Sequence, residues 1–200
     1  LDPELQKLRS GLEGSKAVPV TTVLTAQEGL AEIFWTLASV LRDEAGPDFA
    51  LLYARVAAYV RTDFDEAHLL IAGLLDGVGN HALAAAAYGR IAVDSTSFHA
   101  AEVGRAEALF ESDQKDEAVE ALTILQASHG YLQVVHSTLG DMLRRLQRFE
   151  EATSAYAIAI ELMEQGDPNA WFLYYARGIT CERRSLWPQA EADFRQALAL

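Results

Sequence analysis

The chain has 200 residues, 50% of them hydrophobic, with 5 Pro, 13 Gly, a single Cys and a formal charge of −13. Half-apolar composition supports a sizeable core and excludes a disordered chain, and one cysteine excludes an intrachain disulfide. The carboxylate excess opposes nucleic-acid phosphates and anionic lipid, and no run approaches the roughly 18 consecutive apolar residues of a membrane span.

The chain opens on Leu1-Asp2-Pro3 without Met and stops inside an apolar helical pattern at 196–200. Both ends are expected to be cuts within a longer protein. Residues 1–30 read as an N-terminal segment: a short helix over 3–12 capped by Asp2, then an extended linker over 18–23, where Pro19 restricts its neighbour. Thr25-Ala26-Gln27-Glu28 is a capping box opening a helix that runs to about Asp43. From there to the end, alanine makes up about a sixth of the chain and apolar residues recur at three and four, the helical period. The stretch Asp76-Gly77-Val78-Gly79-Asn80 reads as a turn between two helices. Gly130 reads as a helix terminator in the left-handed conformation.

The same pattern returns at a fixed interval. Ala50, Ala84, Ala118 and Ala152 are spaced by 34, and Gly140 and Gly178 by 38. Numbering each unit from Ala31, Asp65, His99, Gln133 and Trp171, position 8 holds Ala38, Ala72, Ala106, Gly140 and Gly178. Position 20 holds Ala50, Ala84, Ala118, Ala152 and Ala190. Position 24 holds Ala54, Tyr88, Leu122, Tyr156 and Phe194, and position 27 holds Ala57, Ile91, Leu125, Ala159 and Ala197. Small residues at 8 and 20 let two antiparallel helices approach, and a large residue at 24 fills the gap beside them.

This pattern resembles the tetratricopeptide repeat. The family's Pro at position 32 is absent: Thr62, Thr96, Gly130 and Glu164 stand there. Four extra residues before Trp171 amount to one added helical turn, placed near 165–166, with the next helix starting at 167–169. The resemblance implies an all-α fold, a right-handed α-solenoid (superhelix) of about five antiparallel helix pairs over 31–64, 65–98, 99–132, 133–170 and 171–200, the last truncated. A looser resemblance, from Thr25 through Phe64, is to larger bacterial multi-repeat proteins that are often exported. It implies the periplasm or cell envelope, with the cytoplasm as the alternative.

Constellations that carry chemistry are sparse. His68, His81, His99, His129 and His136 include no pair at i,i+3 or i,i+4, so no metal is expected. His129 and His136 would share a face only on one unbroken helix, and Gly130 is expected to break it. Cys181 falls at a core position of the repeat, matching Leu75, Leu109 and Leu143, and reads as a buried inert thiol rather than a nucleophile. The 76–80 stretch lacks the Lys-Ser/Thr of a phosphate loop and the terminal Glu of a calcium loop. Acidic pairs such as Asp116-Glu117 fit solvated helix starts. No catalytic residue and no cofactor is expected.

What remains is surface. The resemblance implies that first-helix positions 2, 5, 9, 12 and 13 line a concave groove that binds a protein or peptide partner. Carried over, they give Trp35 and Arg42; Glu66, Leu69 and Asp76; Val103, Glu107, Phe110 and Glu111; Ser137, Asp141, Arg144 and Arg145; and Phe172, Tyr175, Glu182 and Arg183. Trp35, Phe110, Phe172 and Tyr175 are the candidate anchors, although aromatics at helical spacing equally fit a core. Position 9 reads Ser39, Gly73, Glu107, Asp141 and Ile179, with no Asn to grip a terminal carboxylate, so capture of an acidic C-terminal tail is not expected. Glu107, Glu111 and Asp141 would favour a cationic stretch instead. The reading is a non-catalytic binding scaffold. The alternatives are an assembly or targeting segment of a larger enzyme, and a homodimer formed through exposed repeat ends such as Phe194, Leu198 and Leu200.

Overall fold

The computed structural model describes residues 25–163, 167 and 170–200. The short helix over 3–12, the linker over 18–23 and residues 164–166 and 168–169 lie outside the described residues; the second helix of the fourth pair, expected to gain a turn and run to 165–166, ends at Glu161. Within them the chain forms ten α-helices and no strand. They are α1 (Ala26–Glu44), α2 (Pro47–Val60), α3 (Asp65–Gly77), α4 (His81–Tyr88), α5 (Phe98–Glu111), α6 (Lys115–His129), α7 (Gln133–Arg145), α8 (Phe149–Glu161), α9 (Ala170–Arg183) and α10 (Trp187–Ala199). Two compact units divide after Ala101, within α5. In the first, α1 packs on α2, α2 on α3 and α3 on α4; in the second, α6 packs on α7, α7 on α8, α8 on α9 and α9 on α10.

Local chemistry sets the helix ends. The capping box forms as expected: Glu28 N donates to Thr25 Oγ1 at 3.1 Å and Thr25 N donates to Glu28 Oε2 at 3.2 Å. The turns inside the helix pairs follow one pattern. Position 15 takes positive φ at Gly79 (81°), Asp113 (69°), Gln147 (62°) and Ser185 (59°). The next N–H then reaches back five residues: Asn80 N to Leu75 O at 2.8 Å, Gln114 N to Leu109 O at 2.9 Å, Arg148 N to Leu143 O at 2.8 Å and Leu186 N to Cys181 O at 2.9 Å. These are Schellman closures, which satisfy the orphan carbonyls of the first helix. The carbonyl of that same residue starts the second helix by accepting from the position-20 alanine, as in Ala152 N to Arg148 O at 3.0 Å. The 76–80 turn is one of these closures, as its Gly and Asn content implied.

Gly130 departs from expectation. It follows α6 at φ −65° and ψ −4°, right-handed rather than left-handed. A Cβ there would lie 2.5 Å from Gln126 O, so clearance explains the glycine better than backbone sign. The helix does break between His129 and His136.

The core is the row of small residues in the repeat. Ala38, Ala72 and Ala106 at position 8, and Ala50, Ala84, Ala118 and Ala152 at position 20, are fully buried. Positions 3 and 10 form the face by which one pair stacks on the pair before it. Ala67 and Leu74 on α3, Val135 and Met142 on α7, and Leu173 and Thr180 on α9 are all buried there. The same positions on α1 hold Ile33 and Val40, which are 57% and 49% exposed.

Candidate functional site

The first-helix faces of the second unit are built around two aromatic plugs. On α7, Gly140 faces Tyr156 of α8; a Cβ at Gly140 would lie 2.8 Å from the Tyr156 ring, and one at Gly178 of α9 would lie 2.7 Å from the Phe194 ring. In these two pairs the glycine at position 8 leaves the room that the ring at position 24 occupies, whereas in the pair of α3 and α4 Ala72 and Tyr88 hold the same two positions. Tyr156 is fully buried. Its hydroxyl donates to Asp141 Oδ1 at 2.7 Å and accepts from Arg144 Nε at 3.1 Å, while Arg144 Nη2 donates to Asp141 Oδ1 at 3.2 Å. Burial, reinforced by the Asp141 carboxylate, pushes the Tyr156 phenol far above its ordinary range.

Other expected groove charges are also consumed internally. Arg145 Nη1 donates to Glu111 Oε1 at 2.6 Å, and its guanidinium lies 4.3 Å from the Phe110 ring centroid. Phe110 is 3% exposed and Val103 is buried as well, so neither is an open anchor: α5 turns both into the core. Glu107 remains on the surface of α5. With Glu111 held by Arg145, and Asp141 by Arg144 and Tyr156, the acidic patch is largely neutralised and loses its pull on a cationic partner. Arg144 and Arg145 are equally committed.

On α9 the outcome differs. Phe172 is 38% and Tyr175 47% exposed, and Trp171 beside them is exposed too. Trp171 meets Phe172 edge-on at 6.0 Å and Tyr175 at 6.4 Å between ring centroids. Tyr175 leans on Phe194 at 5.9 Å, which fixes its ring without covering it. Ile179 and Arg183 continue the same helical face from Tyr175 at i+4 and i+8. Arg183 is exposed and makes no ion pair among the described residues, and Glu182 flanks it on the surface. Arg177, one turn before Cys181, binds Asp193 of α10 in a two-pronged pair at 2.9 and 2.6 Å.

In the first unit the carried-over positions do not form a comparable cluster. Trp35 is half-buried against Phe64, 6.0 Å between centroids, and packs on the core of Ala31, Ala57, Phe64 and Ala67. Arg42 pairs with its neighbour Asp43 on the surface. Glu66 and Leu69 are partly covered on α3, and Asp76 Oδ1 is bonded to His81 Nδ1 at 2.7 Å.

The isolated chemistry-bearing residues fall where the repeat places them. Cys181 is buried, and burial raises its thiol pKa above the ordinary value. His136 is buried between α6 and α7: Gln126 Nε2 lies 2.9 Å from its Nδ1 and Gly130 O lies 2.8 Å from its Nε2. Among the described residues no three His, Cys, Asp or Glu side chains gather as metal ligands.

The sequence reading passed over the opposite, second-helix side. Between α2 and α4, with α3 as the floor, runs an open furrow of about 640 Å³. Ile71 and Leu75 form its floor, Ala86 and Ala87 its α4 bank, and Arg55, Tyr59 and Arg90 its rim. The signal that marks it in sequence is the run of alanines at 84–87, whose methyl groups leave the bank low.

No protein-family model and no curated protein matches the sequence. Solved structures do resemble it. A crystal structure of MamA shares 20% identity at a TM-score of 0.69, covering 82% of this chain and 93% of that one. MamA residues 41 to the end from Desulfovibrio magneticus RS-1 give 16% identity and a TM-score of 0.72, with 89% and 97% coverage. YrrB, a TPR protein described with an unusual peptide-binding site, gives 14% identity and a TM-score of 0.63, with 88% and 92% coverage. The fold is the tetratricopeptide-repeat fold. The all-α architecture of helix pairs that the resemblance implies is thereby borne out.

Proposed function

We propose that the chain is a non-catalytic scaffold that binds a peptide segment of a partner protein on the exposed face of α9. One observation carries this reading: Trp171, Phe172 and Tyr175 stand exposed side by side on a helix whose opposite face is locked into the core. Large rigid aromatics provide binding area at low entropic cost, and such residues dominate interface energetics. Arg183, without an ion-pair partner among the described residues, adds a cation at the end of the same face. The segment that fits carries two or three apolar side chains followed by a carboxylate. A peptide-binding site in YrrB, a protein of the same fold, agrees with this class of partner.

The test is selection of a random peptide library on the immobilised chain, followed by titration of the selected peptide. Phe172→Ala with Tyr175→Ala is expected to weaken binding by about thirtyfold or more, the scale of a hot spot, with an unchanged melting temperature. Equal affinity for wild type and double variant, or selection of no peptide, would overturn the reading.

A further inference from the structure

We propose that the furrow between α2 and α4 is a second docking site, in the first unit, and that it takes an acidic amphipathic helix of a partner protein. The site is shaped for an apolar face. Ile71 and Leu75 give it a floor, Ala86 and Ala87 a low bank, and Leu83 and Tyr59 stand out on either side, Tyr59 at 85% exposure. A volume of about 640 Å³ lies within the range of roughly 300–1,000 Å³ that ligand pockets occupy. The furrow is partly open to solvent rather than enclosed. A small amphiphile would stay half exposed there, whereas a helix laid between two helices covers the floor and both banks.

The charge around it gives the sign of the occupant. Arg55 on α2 and Arg90 just beyond α4 flank the furrow, and neither makes an ion pair among the described residues. No carboxylate is among the described residues that line it. On a chain of net charge −13, an uncompensated cationic rim around an apolar trough is a local reversal of the surface. A helix with leucine-like side chains on one face and carboxylates flanking them satisfies both the floor and the rim.

This site is independent of the α9 face, and its test separates the two. Three labelled peptides of about 14 residues, a helix about 21 Å long and comparable to α2, are titrated against the full chain by fluorescence anisotropy. The first carries Leu on one face and Glu elsewhere, the second replaces each Glu by Lys, and the third replaces each Leu by Ser. The first is expected to bind at least about tenfold more tightly than the other two, and more weakly as salt rises. Arg55→Glu with Arg90→Glu is expected to abolish that preference and admit the Lys peptide, whereas Phe172→Ala with Tyr175→Ala leaves it unchanged. Equal binding of the Glu and Lys peptides, retention of the Glu peptide by the charge-reversed variant, or loss of it in the aromatic variant would each overturn the proposal. Should the charge-reversed variant misfold, the ranking of the three peptides on the wild-type chain still decides the question. Ala86→Trp, which fills the trough from an exposed position, gives a second check and is expected to block the Glu peptide.

Discussion

The second unit contains a furrow like that of the first, between α6 and α8, with eight of the eleven lining positions matched two repeats along. Its floor is Leu139 and Leu143 where the first has Ile71 and Leu75, and Ala155 stands where the first has Ala87. The rims differ. Leu83 is replaced by Glu151, Ala86 by Ser154, Arg55 by Thr123 and Arg90 by Ile158. The volume falls to about 310 Å³. The one arginine lining it, Arg148, is bound to Glu151 at 2.8 and 2.6 Å, and Glu150 faces Arg184 at 3.5 Å. Positions that pack the repeat stay apolar in both units, while positions 19, 22, 25 and 26 are free to vary. The two furrows therefore differ at their rims, and the charges around the second are paired with each other.

The paired charges of the second unit are most sharply tested at Arg177. Asp193 is only 5% exposed and its carboxylate is held by both prongs of Arg177. Arg177→Ala leaves that carboxylate buried without its counter-charge, an event that costs about 3 kcal/mol. Hydrogen exchange is expected to accelerate in α9 and α10 while α3 and α4 keep their protection. Acceleration spread evenly over both units would show that the pair is not a local lock.

Gly140→Ala comes next. Tyr156 cannot swing aside from the new methyl group, because its hydroxyl is tied to Asp141 and Arg144. Overpacking of this kind costs about 2 kcal/mol, a fall of about 4–8 °C in the melting temperature for a chain of this size. The combination Ala106 with Leu122 already exists one repeat earlier, so adding Tyr156→Leu to Gly140→Ala is expected to restore much of the loss. Tyr156→Phe gives a second signature. The folded phenol is raised above its unfolded value near 10, so its contribution is complete below about pH 10 and is lost as pH climbs toward the folded value. Melting curves between about pH 8 and 11 should show a shallower alkaline decline in the Phe variant.

These residues also mark the limits of what was legible. The interval of 34, the alanines at positions 8 and 20, the Thr25 capping box and the burial of Cys181 could all be read because each follows from local spacing or from a side chain too small to have another use. Phe110, Arg144 and Arg145 could not be sorted the same way. A groove position and a core position differ by a small rotation of the helix, and ion pairs such as Glu111 with Arg145 link residues a whole repeat apart. The α2–α4 furrow escaped because it arises from what is missing, side chains beyond Cβ at 84–87, and the positions carried over from the family lie on the opposite side.

The turns allow a smaller test that compares the units directly. Position 15 is left-handed in both, filled by Gly79 in the first and by Gln147 in the second. A side chain in that conformation costs about 1 kcal/mol. Gln147→Gly is thus expected to stabilise the second unit by about 0.5–1 kcal/mol, and Gly79→Ala to destabilise the first by a similar amount. Urea titrations of the two variants should move in opposite directions with unchanged slopes.

The smallest expected effect bears most directly on function. Arg55 and Arg90 are exposed and make no ion pair among the described residues, so their charges contribute no attraction to the fold. Arg55→Ala with Arg90→Ala is expected to change stability by less than about 0.5 kcal/mol, as at ordinary surface sites, against about 3 kcal/mol for Arg177→Ala. The double variant also makes an acidic chain more acidic, so self-repulsion acts, if at all, toward a small loss. A loss near that of Arg177 would mean that the two arginines hold α2 and α4 together and that the cationic rim is structural. A stability within error of the wild type leaves two cations at the mouth of an apolar trough, on a chain of charge −13, that the fold does not need and that an acidic occupant could pair with.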